Sequence, residues 1–240
     1  MDNENVKKFY NDFVNYQTKS GINERIYTLY KKMKSLNLSS TSTILELGCG
    51  IGVMTYLLSK TVRKGYIEAV DLSDESINTA KSKTDKQNIS FFTGDVVNYL
   101  PKNKKFDFIT LFDVIEHIPI EKHDDLFKNI ASIADNNTKI LINIPNPKFI
   151  EFLIKNEPKT LQIIDQPIPL STIVNNAEQN NLEIINFNTY SIWVENDYQF
   201  FVLTKKKEFR KKLIHEDRTF FQKISHKINN VFVKLKYYNH

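Results

Sequence analysis

The sequence predicts an α/β fold whose mostly parallel β-sheet is covered by helices on both faces. Between residues 43 and 144, short apolar segments alternate with segments of helical periodicity. The chain has only six glycines in 240 residues, and Gly48, Gly50 and Gly52 fall within one short turn. The length suits one domain with extensions at its ends.

The predicted elements follow in order along the chain. Residues 1–39 have apolar side chains at helical spacing, interrupted at Gly21, and are expected to form a helical lid. The alternating part predicts strands at 43–47, 66–71, 89–92, 106–112 and 139–144, with helices at 53–62, 73–83 and 121–134. It is followed by a Pro-rich irregular insert at 145–168, a helix at 170–180 and an antiparallel hairpin of strands at 182–192 and 196–204.

The positive charge is concentrated in the last 36 residues. Residues 205–240 contain eleven Lys and Arg and three acidic residues, so the charge of this tail is +8. The net charge of the whole chain is +5, so residues 1–204 carry −3. An acidic body makes nucleic acid an unexpected partner. The tail predicts a basic amphipathic helix that could lie on a membrane surface, contact a partner or pack against the protein itself.

The remaining composition predicts a cytoplasmic protein. Cys49 is the single cysteine, which excludes an intrachain disulfide and a multi-cysteine zinc site. No apolar run approaches the ~18 residues of a membrane span. The first residues lack the basic-then-apolar order of a signal peptide.

The glycine turn is the strongest indication of a ligand site. Glu46 to Gly52 lie between a predicted strand and a predicted helix, where an open parallel sheet binds ligands. The spacing is G-x-G-x-G, whereas dinucleotide folds use G-x-G-x-x-G. A carboxylate at Glu46 would repel a pyrophosphate, so we expect a nucleoside without phosphates, with room for a positive charge.

Two further acids follow the next two strands. Asp71 ends the second strand, where an acid accepts hydrogen bonds from ribose hydroxyls. Asp95 follows the third strand and could accept from an adenine amino group, while the Val96 amide meets a ring nitrogen. Leu72 could lie against the base. Helix capping and core packing remain the alternatives for these residues.

Together these segments resemble the class I S-adenosylmethionine-dependent methyltransferases over about residues 40–204, and in particular those of ubiquinone biosynthesis and sugar modification. The matching segments are 44–52, 69–73, 94–96 and 106–119. The resemblance implies a Rossmann-like, seven-stranded sheet with an antiparallel last strand and S-adenosylmethionine as cofactor. It implies cofactor contacts from Glu46, Gly48, Cys49, Gly50, Gly52, Asp71, Leu72, Asp95, Val96 and Phe112.

The loop after the fourth strand is expected to face the acceptor. His117 is the candidate general base, because its ordinary pKa lies near neutrality. Asp113 and Glu116 would orient His117 or hold the acceptor. Further acceptor contacts are expected from the lid and the insert, at Tyr10, Tyr16 and Asn146. No metal is expected, although a quinone- or catechol-type acceptor could bring Mg²⁺.

The function favoured by these residues is O-methylation of a hydroxyl on a small-molecule or glycan-type acceptor. N-methylation of an amino sugar or another amine is the nearest alternative. A cofactor-binding scaffold or regulatory partner without turnover is the alternative from another class. Methylation of RNA or protein rests on the basic tail alone, and the Asn/Asp-Pro-Pro-aromatic motif of nucleic-acid amine methylases does not follow the fourth strand.

Overall fold

The structure, a computed structural model, describes Lys7, Phe9, Val14, Thr18, residues 21–103 and 105–209, Lys211 and residues 219–237. Its strands are β1 Thr43–Leu47, β2 Tyr66–Asp71, β3 Ile89–Thr93, β4 Phe108–Phe112, β5 Lys139–Pro145, β6 Leu182–Tyr190 and β7 Tyr198–Lys205. Its α-helices are α1 Glu24–Ser35, α2 Val53–Thr61, α3 Asp74–Lys83, α4 His123–Ile133, α5 Pro147–Asn156, α6 Leu170–Gln179 and α7 Phe220–Tyr237. Short 3₁₀ turns lie at Ile115–His117, Ile120–Lys122 and Pro158–Thr160.

The seven strands form one sheet in the order β3-β2-β1-β4-β5-β7-β6. The first five strands are parallel, and β7 runs antiparallel to both β5 and β6. This confirms the predicted α/β class and its antiparallel last strand. The strand order reverses between β1 and β4, and ligands of open α/β sheets bind at such a switch point.

Helix α5 corrects one prediction. The insert at 145–168 was expected to be irregular because of its prolines, but Pro147–Asn156 is an α-helix. Pro147 occupies the first turn, where its missing N–H costs no hydrogen bond. The Asn146 side chain caps this turn by accepting from the Lys148 amide. The prolines therefore begin this helix and do not interrupt it.

Helices cover both faces of the sheet. One apolar cluster packs α4 and α6 against the sheet and includes the fully buried Phe127 and Phe201. A second cluster packs α1 and α2 on the other face through residues such as Leu29, Met33 and Leu58. Each such side chain contributes roughly 1.5–3 kcal/mol of burial free energy.

Helix α1 falls within residues 1–39, the segment that was expected to form a lid. Leu29 and Met33 are completely buried in the second cluster, so Glu24–Ser35 is part of the core of the domain. A helix that supplies core residues cannot open without exposing them to water. Most residues before Gly21, including Tyr10 and Tyr16, lie outside the described residues.

The contacts divide the chain into a large unit that ends at Lys206 and a small one that begins at Lys207. Helix α7 is the regular element described in the small unit. No helix among the described residues is both long enough and apolar enough to cross a membrane.

Candidate active site

The loops that follow β1, β2 and β3 are joined by backbone hydrogen bonds. The amides of Gly48 and Cys49 both donate to the Val70 carbonyl of β2, each at 2.8 Å. The Gly94 amide, after β3, donates to the Asp71 carbonyl at 2.9 Å. The parallel register thus brings the glycine turn together with the loops that hold Asp71 and Asp95, at one edge of the sheet.

The glycine turn has a backbone that other residues would not adopt without strain. Gly48 and Gly52 have φ values of 79° and 76°, in the left-handed region. A Cβ at Gly48 would collide with the Val114 side chain, and one at Gly52 would lie 2.8 Å from the Ala80 Cβ. The turn therefore packs closely against the loop after β4 and against α3.

Asp71 holds the glycine turn in place. One of its carboxylate oxygens accepts from the Gly50 amide at 2.8 Å, and the other accepts from the Ser73 amide at 2.9 Å. Burial raises the pKa of Asp71, and the hydrogen bonds from the Ser73 and Gly50 amides oppose this rise. Each carboxylate oxygen can accept a second hydrogen bond, so the predicted ribose contact is compatible with the observed ones.

Glu46 lies buried next to the turn. It is 4% exposed, and its carboxyl group accepts a 2.7 Å hydrogen bond from the Thr55 hydroxyl of α2. Burial raises the pKa of Glu46 to about 8, and the nearby Asp71 carboxylate raises it further while the Thr55 hydrogen bond lowers it. Glu46 is therefore mostly protonated at neutral pH, and the sequence-based argument from its negative charge needs this correction.

The other predicted cofactor residues have mixed surroundings. Cys49 is buried against Ala69, Ile77, Ala80 and Phe91, so only its backbone could meet a ligand, and burial raises the pKa of its thiol. Asp95 accepts a hydrogen bond from the Val97 amide at 3.0 Å. The Val96 side chain is buried in the core, and those of Leu72 and Phe112 are partly exposed.

A polar network occupies the ends of β4 and β5, across the switch point from the glycine turn. Asp113 has a left-handed φ of 57° and forms a 2.9 Å ion pair with Arg25 of α1. Its other oxygen accepts from the Asn143 amide group at 2.8 Å, and Asn143 in turn accepts from the Tyr190 hydroxyl at 2.6 Å. The Arg25 guanidinium also donates to the Tyr198 hydroxyl at 3.3 Å.

The electrostatics of this network favour a charged Arg25. Burial would lower the pKa of Arg25, but Asp113, Tyr198 and Glu116 together outweigh the effect of burial and raise the pKa. Burial and Asp113 raise the pKa values of Tyr190 and Tyr198, so both phenols stay protonated and can act as donors. The Arg25 guanidinium lies 5.9 Å from the Trp193 ring centre and 5.8 Å from that of Tyr198.

His117 has different neighbours from those expected. Its Nδ1 lies 3.1 Å from Asp165 and within hydrogen-bond distance of the Ile164 carbonyl, and its Nε2 lies 3.9 Å from Glu116. Burial would lower the pKa of His117, but Glu116, Asp165 and the Ile164 carbonyl outweigh it and raise the pKa. A raised pKa favours the imidazolium, which cannot accept a proton, so this environment does not support the expected role of His117 as a general base.

The same contacts correct the expected partnership of Asp113 with His117. Asp113 is paired with Arg25 and Asn143, whereas Asp165 of the insert contacts His117. Gln166 donates its side chain to the Ile118 carbonyl at 2.8 Å. His117 and Gln166 therefore fasten the insert to the loop after β4. Burial raises the pKa of Glu116, whose Oε2 has no hydrogen-bond partner among the described residues.

Asn146 lies beside a groove of about 850 Å³ between α5 and the β6–β7 turn. Its amide group donates to the Asn196 carbonyl at 2.9 Å, and its oxygen caps α5. These hydrogen bonds show that Asn146 stabilises the start of α5 and the β6–β7 turn. Its contact with the acceptor stays a prediction. Among the described residues, no group of three or more His, Cys, Asp or Glu side chains is arranged to hold a metal ion.

Sequence reasoning missed most of the polar network. Arg25 falls within residues 1–39, the expected lid, and no role was predicted for Asn143, Asp165, Tyr190 or Tyr198. These side chains come from α1, β5, the insert, β6 and β7, and chain separation hides their proximity. One available signal was the polar Asn143 inside the apolar run of β5, because a buried polar residue in a strand requires a partner.

Comparisons with known proteins relate the chain to methyltransferases. Residues 44–137 match the family model described as a methyltransferase domain. The chain is 28% identical over 112 residues to the ubiquinone biosynthesis O-methyltransferase of Coxiella burnetii. This alignment covers 46% of this chain and 46% of that protein. It is 36% identical over 98 residues to malonyl-[acyl-carrier protein] O-methyltransferase 1 of Ilyobacter polytropus, covering 40% of this chain and 35% of that protein.

These matches span less than half the length of each relative. The solved magnesium protoporphyrin IX methyltransferase of Synechocystis with bound SAH covers more of the chain. Its TM-score is 0.68 at 16% identity, over 86% of this chain and 100% of that one. Another structure of the same enzyme holds bound SAM. At this identity the likeness shows the fold.

Proposed function

We propose that the chain is a class I, S-adenosylmethionine-dependent methyltransferase and that it methylates an oxygen of a small-molecule or glycan-type acceptor. The observation that carries this proposal is the placement of two different sites on either side of the strand switch. The glycine turn and its acids lie at the ends of β1–β3, and the Asp113 network lies at the ends of β4 and β5.

The residues on the first side fit a sulfonium nucleoside. Gly48 and Gly52 have positive φ and leave room for Val114 and Ala80 to pack against the turn, which gives the turn the shape that we propose holds the nucleoside. We propose that Asp71 accepts from the ribose, that Asp95 and the Val96 amide meet the adenine, and that Glu46 faces the cationic end. The bound cofactor supplies an electrophilic methyl group on its sulfur.

The residues on the second side would position the acceptor. We propose that Asp113, fixed by Arg25 and Asn143, holds a donor group of the acceptor and aligns its oxygen, since alignment supplies much of the acceleration of such a transfer. The contacts of His117 with Asp165 and the Ile164 carbonyl support a fastening role, and its raised pKa makes it a poor base. This favours an acceptor oxygen that loses its proton easily, such as a phenol, an enol or a carboxyl group, over an ordinary sugar hydroxyl.

Binding and turnover are tested separately. Calorimetry with S-adenosylhomocysteine, NAD and ATP should show tight binding of the first alone. Methyl-labelled cofactor is then incubated with phenol, carboxylic acid, sugar and amine acceptors, and the products are treated with alkali. Loss of label identifies an ester, and retention on an oxygen identifies an ether. A labelled amine would replace our proposal with N-methylation, and binding without turnover in fractionated extracts would favour a scaffold.

His117→Gln distinguishes fastening from base catalysis. Glutamine can still donate to the Ile164 carbonyl but cannot take up a proton. We expect kcat to fall less than tenfold, and the pH dependence of kcat to keep its shape. A loss of 10² or more with an intact fold would restore His117 as the base.

We also propose that the enzyme acts in the cytoplasm with peripheral contact at the inner membrane surface through residues 205–240. The support is the charge of +8 in this segment and the amphipathic helix that it contains. An acceptor linked to a lipid or a quinone precursor would then be methylated at the membrane. Activity on such an acceptor should rise when it is presented in vesicles, and equal activity in detergent solution would count against this location.

A further inference from the structure

Helix α7 has two chemically different faces. Successive residues of an α-helix are about 100° apart, and seven apolar side chains of α7 fall within one arc of about 120°. They are Phe220, Phe221, Ile224, Ile228, Val231, Phe232 and Leu235. Lys223, Lys227 and Lys234 border one edge of this arc, and Lys236 lies beyond its other edge. The helix contains no acidic residue.

The apolar face is open to water. Phe221 is 80% exposed and Ile228 is 64% exposed, and no side chain of the helix is buried. Monomeric proteins rarely expose so continuous an apolar surface unless something covers it. The covering partner must accept apolar side chains in one plane and positive charges along the border of that plane.

We infer that α7 lies in the plane of an anionic membrane surface, with its apolar arc in the acyl boundary and its lysines among the lipid phosphates. This deepens the proposed peripheral location and rests on it. The lysine stems can run along the apolar surface while their ammonium groups stay at the headgroups. The combination of a large apolar arc, a basic border and low overall hydrophobicity is typical of interfacial helices.

A second copy of this helix and a nucleic acid are the two other candidate partners, and neither matches both faces of α7. A second copy of α7 would bring two lysine-bordered faces together with no acidic residue to pair with them. A nucleic acid would engage the lysines but would leave Phe221, Ile228 and Leu235 in water. An anionic bilayer satisfies both faces at once.

Vesicle flotation of the full chain tests this inference with three variants. The charge variant replaces three lysines. Loss of each lysine should weaken partitioning onto phosphatidylglycerol vesicles about fivefold, so the variant should partition roughly 100-fold less than the wild type. The apolar variant should lose at least roughly tenfold per replaced side chain. The matched control changes the polar face and should bind as the wild type does. The variants are Lys223→Ala, Lys227→Ala and Lys234→Ala; Ile224→Ser, Ile228→Ser and Leu235→Ser; and Gln222→Ser, Asn229→Ser and Asn230→Ser.

The wild type should bind vesicles of phosphatidylcholine and phosphatidylglycerol, bind phosphatidylcholine alone weakly, and dissociate at high salt. Equal binding to both lipids, or no binding at low salt, would overturn the inference. So would a dimer that the apolar variant dissociates, or an oligonucleotide complex that the charge variant loses while no vesicle binds. S-adenosylhomocysteine binding by the same samples should be unchanged. If no sample bound S-adenosylhomocysteine, that result would count against the proposed methyl transfer and would leave the membrane inference standing.

Discussion

Replacing Glu46 by glutamine removes a titrating group beside the glycine turn while keeping its shape and an acceptor for the Thr55 hydroxyl. The pKa of Glu46 lies at about 8 in the folded protein, against an ordinary 4.5. Between these pH values the Glu46 carboxyl group is ionised in the unfolded chain but keeps its proton in the folded protein. The free energy of unfolding of the wild type therefore falls as the pH rises through this window. The full interval corresponds to a cost on the order of 5 kcal/mol.

Glu46→Gln does not titrate and should escape this loss. Urea unfolding should give similar free energies for both proteins near pH 4.5, and above about pH 8 the variant should be more stable by several kcal/mol. Thr55→Val is the matched control, because it removes the hydroxyl but keeps the titrating carboxyl group. Its stability should fall with rising pH at least as steeply as that of the wild type.

The same group links cofactor uptake to a proton. A cation next to a buried carboxyl group favours its charged form, so binding of S-adenosylmethionine at pH 7 should release close to one proton from Glu46. Calorimetry in buffers of different ionisation enthalpy counts that proton. Release should shrink above about pH 9, where the group is already ionised, and it should vanish in Glu46→Gln. Identical proton counts and identical pH–stability curves for wild type and variant would refute the reasoning.

Two further predictions concern the geometry of the site. Gly48→Ala should cost about 2–4 kcal/mol of stability and weaken S-adenosylhomocysteine binding, because its Cβ meets Val114 at positive φ. Gly21→Ala is the control, with φ of 54° and no atom of the described residues within 4 Å of the added Cβ; an equal loss in both would contradict the packing argument. Arg25→Met should cost roughly 2–3 kcal/mol in urea unfolding by leaving the Asp113 carboxylate without its cation. Adding Asp113→Asn should recover at least about 1 kcal/mol, and strict additivity would show that the two residues are not coupled.

The local features of this fold could be read from the chain because their causes are local. An alternation of apolar runs with helical periodicity predicts a parallel sheet, since parallel strands need crossover helices. The glycine turn was recognisable because glycine is rare in this chain and permits positive φ. Asp71 and Asp95 were predicted as neighbours because each follows a parallel strand, and parallel strands end at one edge. The roles assigned to them stay predictions.

The protonation of the site residues could not be read from the chain. His117 has an ordinary pKa near neutrality, yet Glu116 and the Asp165 side chain, 48 positions away, raise this pKa against the effect of burial. Glu46 has an ordinary pKa of 4.5, yet burial beside Asp71 raises it. Both shifts depend on desolvation and on charges a few ångströms away, and neither quantity is a function of sequence separation.

The sequence by itself therefore determined the sheet, the glycine turn and the edge at which a ligand would bind, since hydrophobic periodicity and backbone conformation act between near neighbours in the chain. Only the tertiary structure decided that Arg25, rather than His117, is the partner of Asp113, and that His117 fastens the insert. Those pairings join α1, the loop after β4 and the insert, and their energies depend on distance and burial in three dimensions.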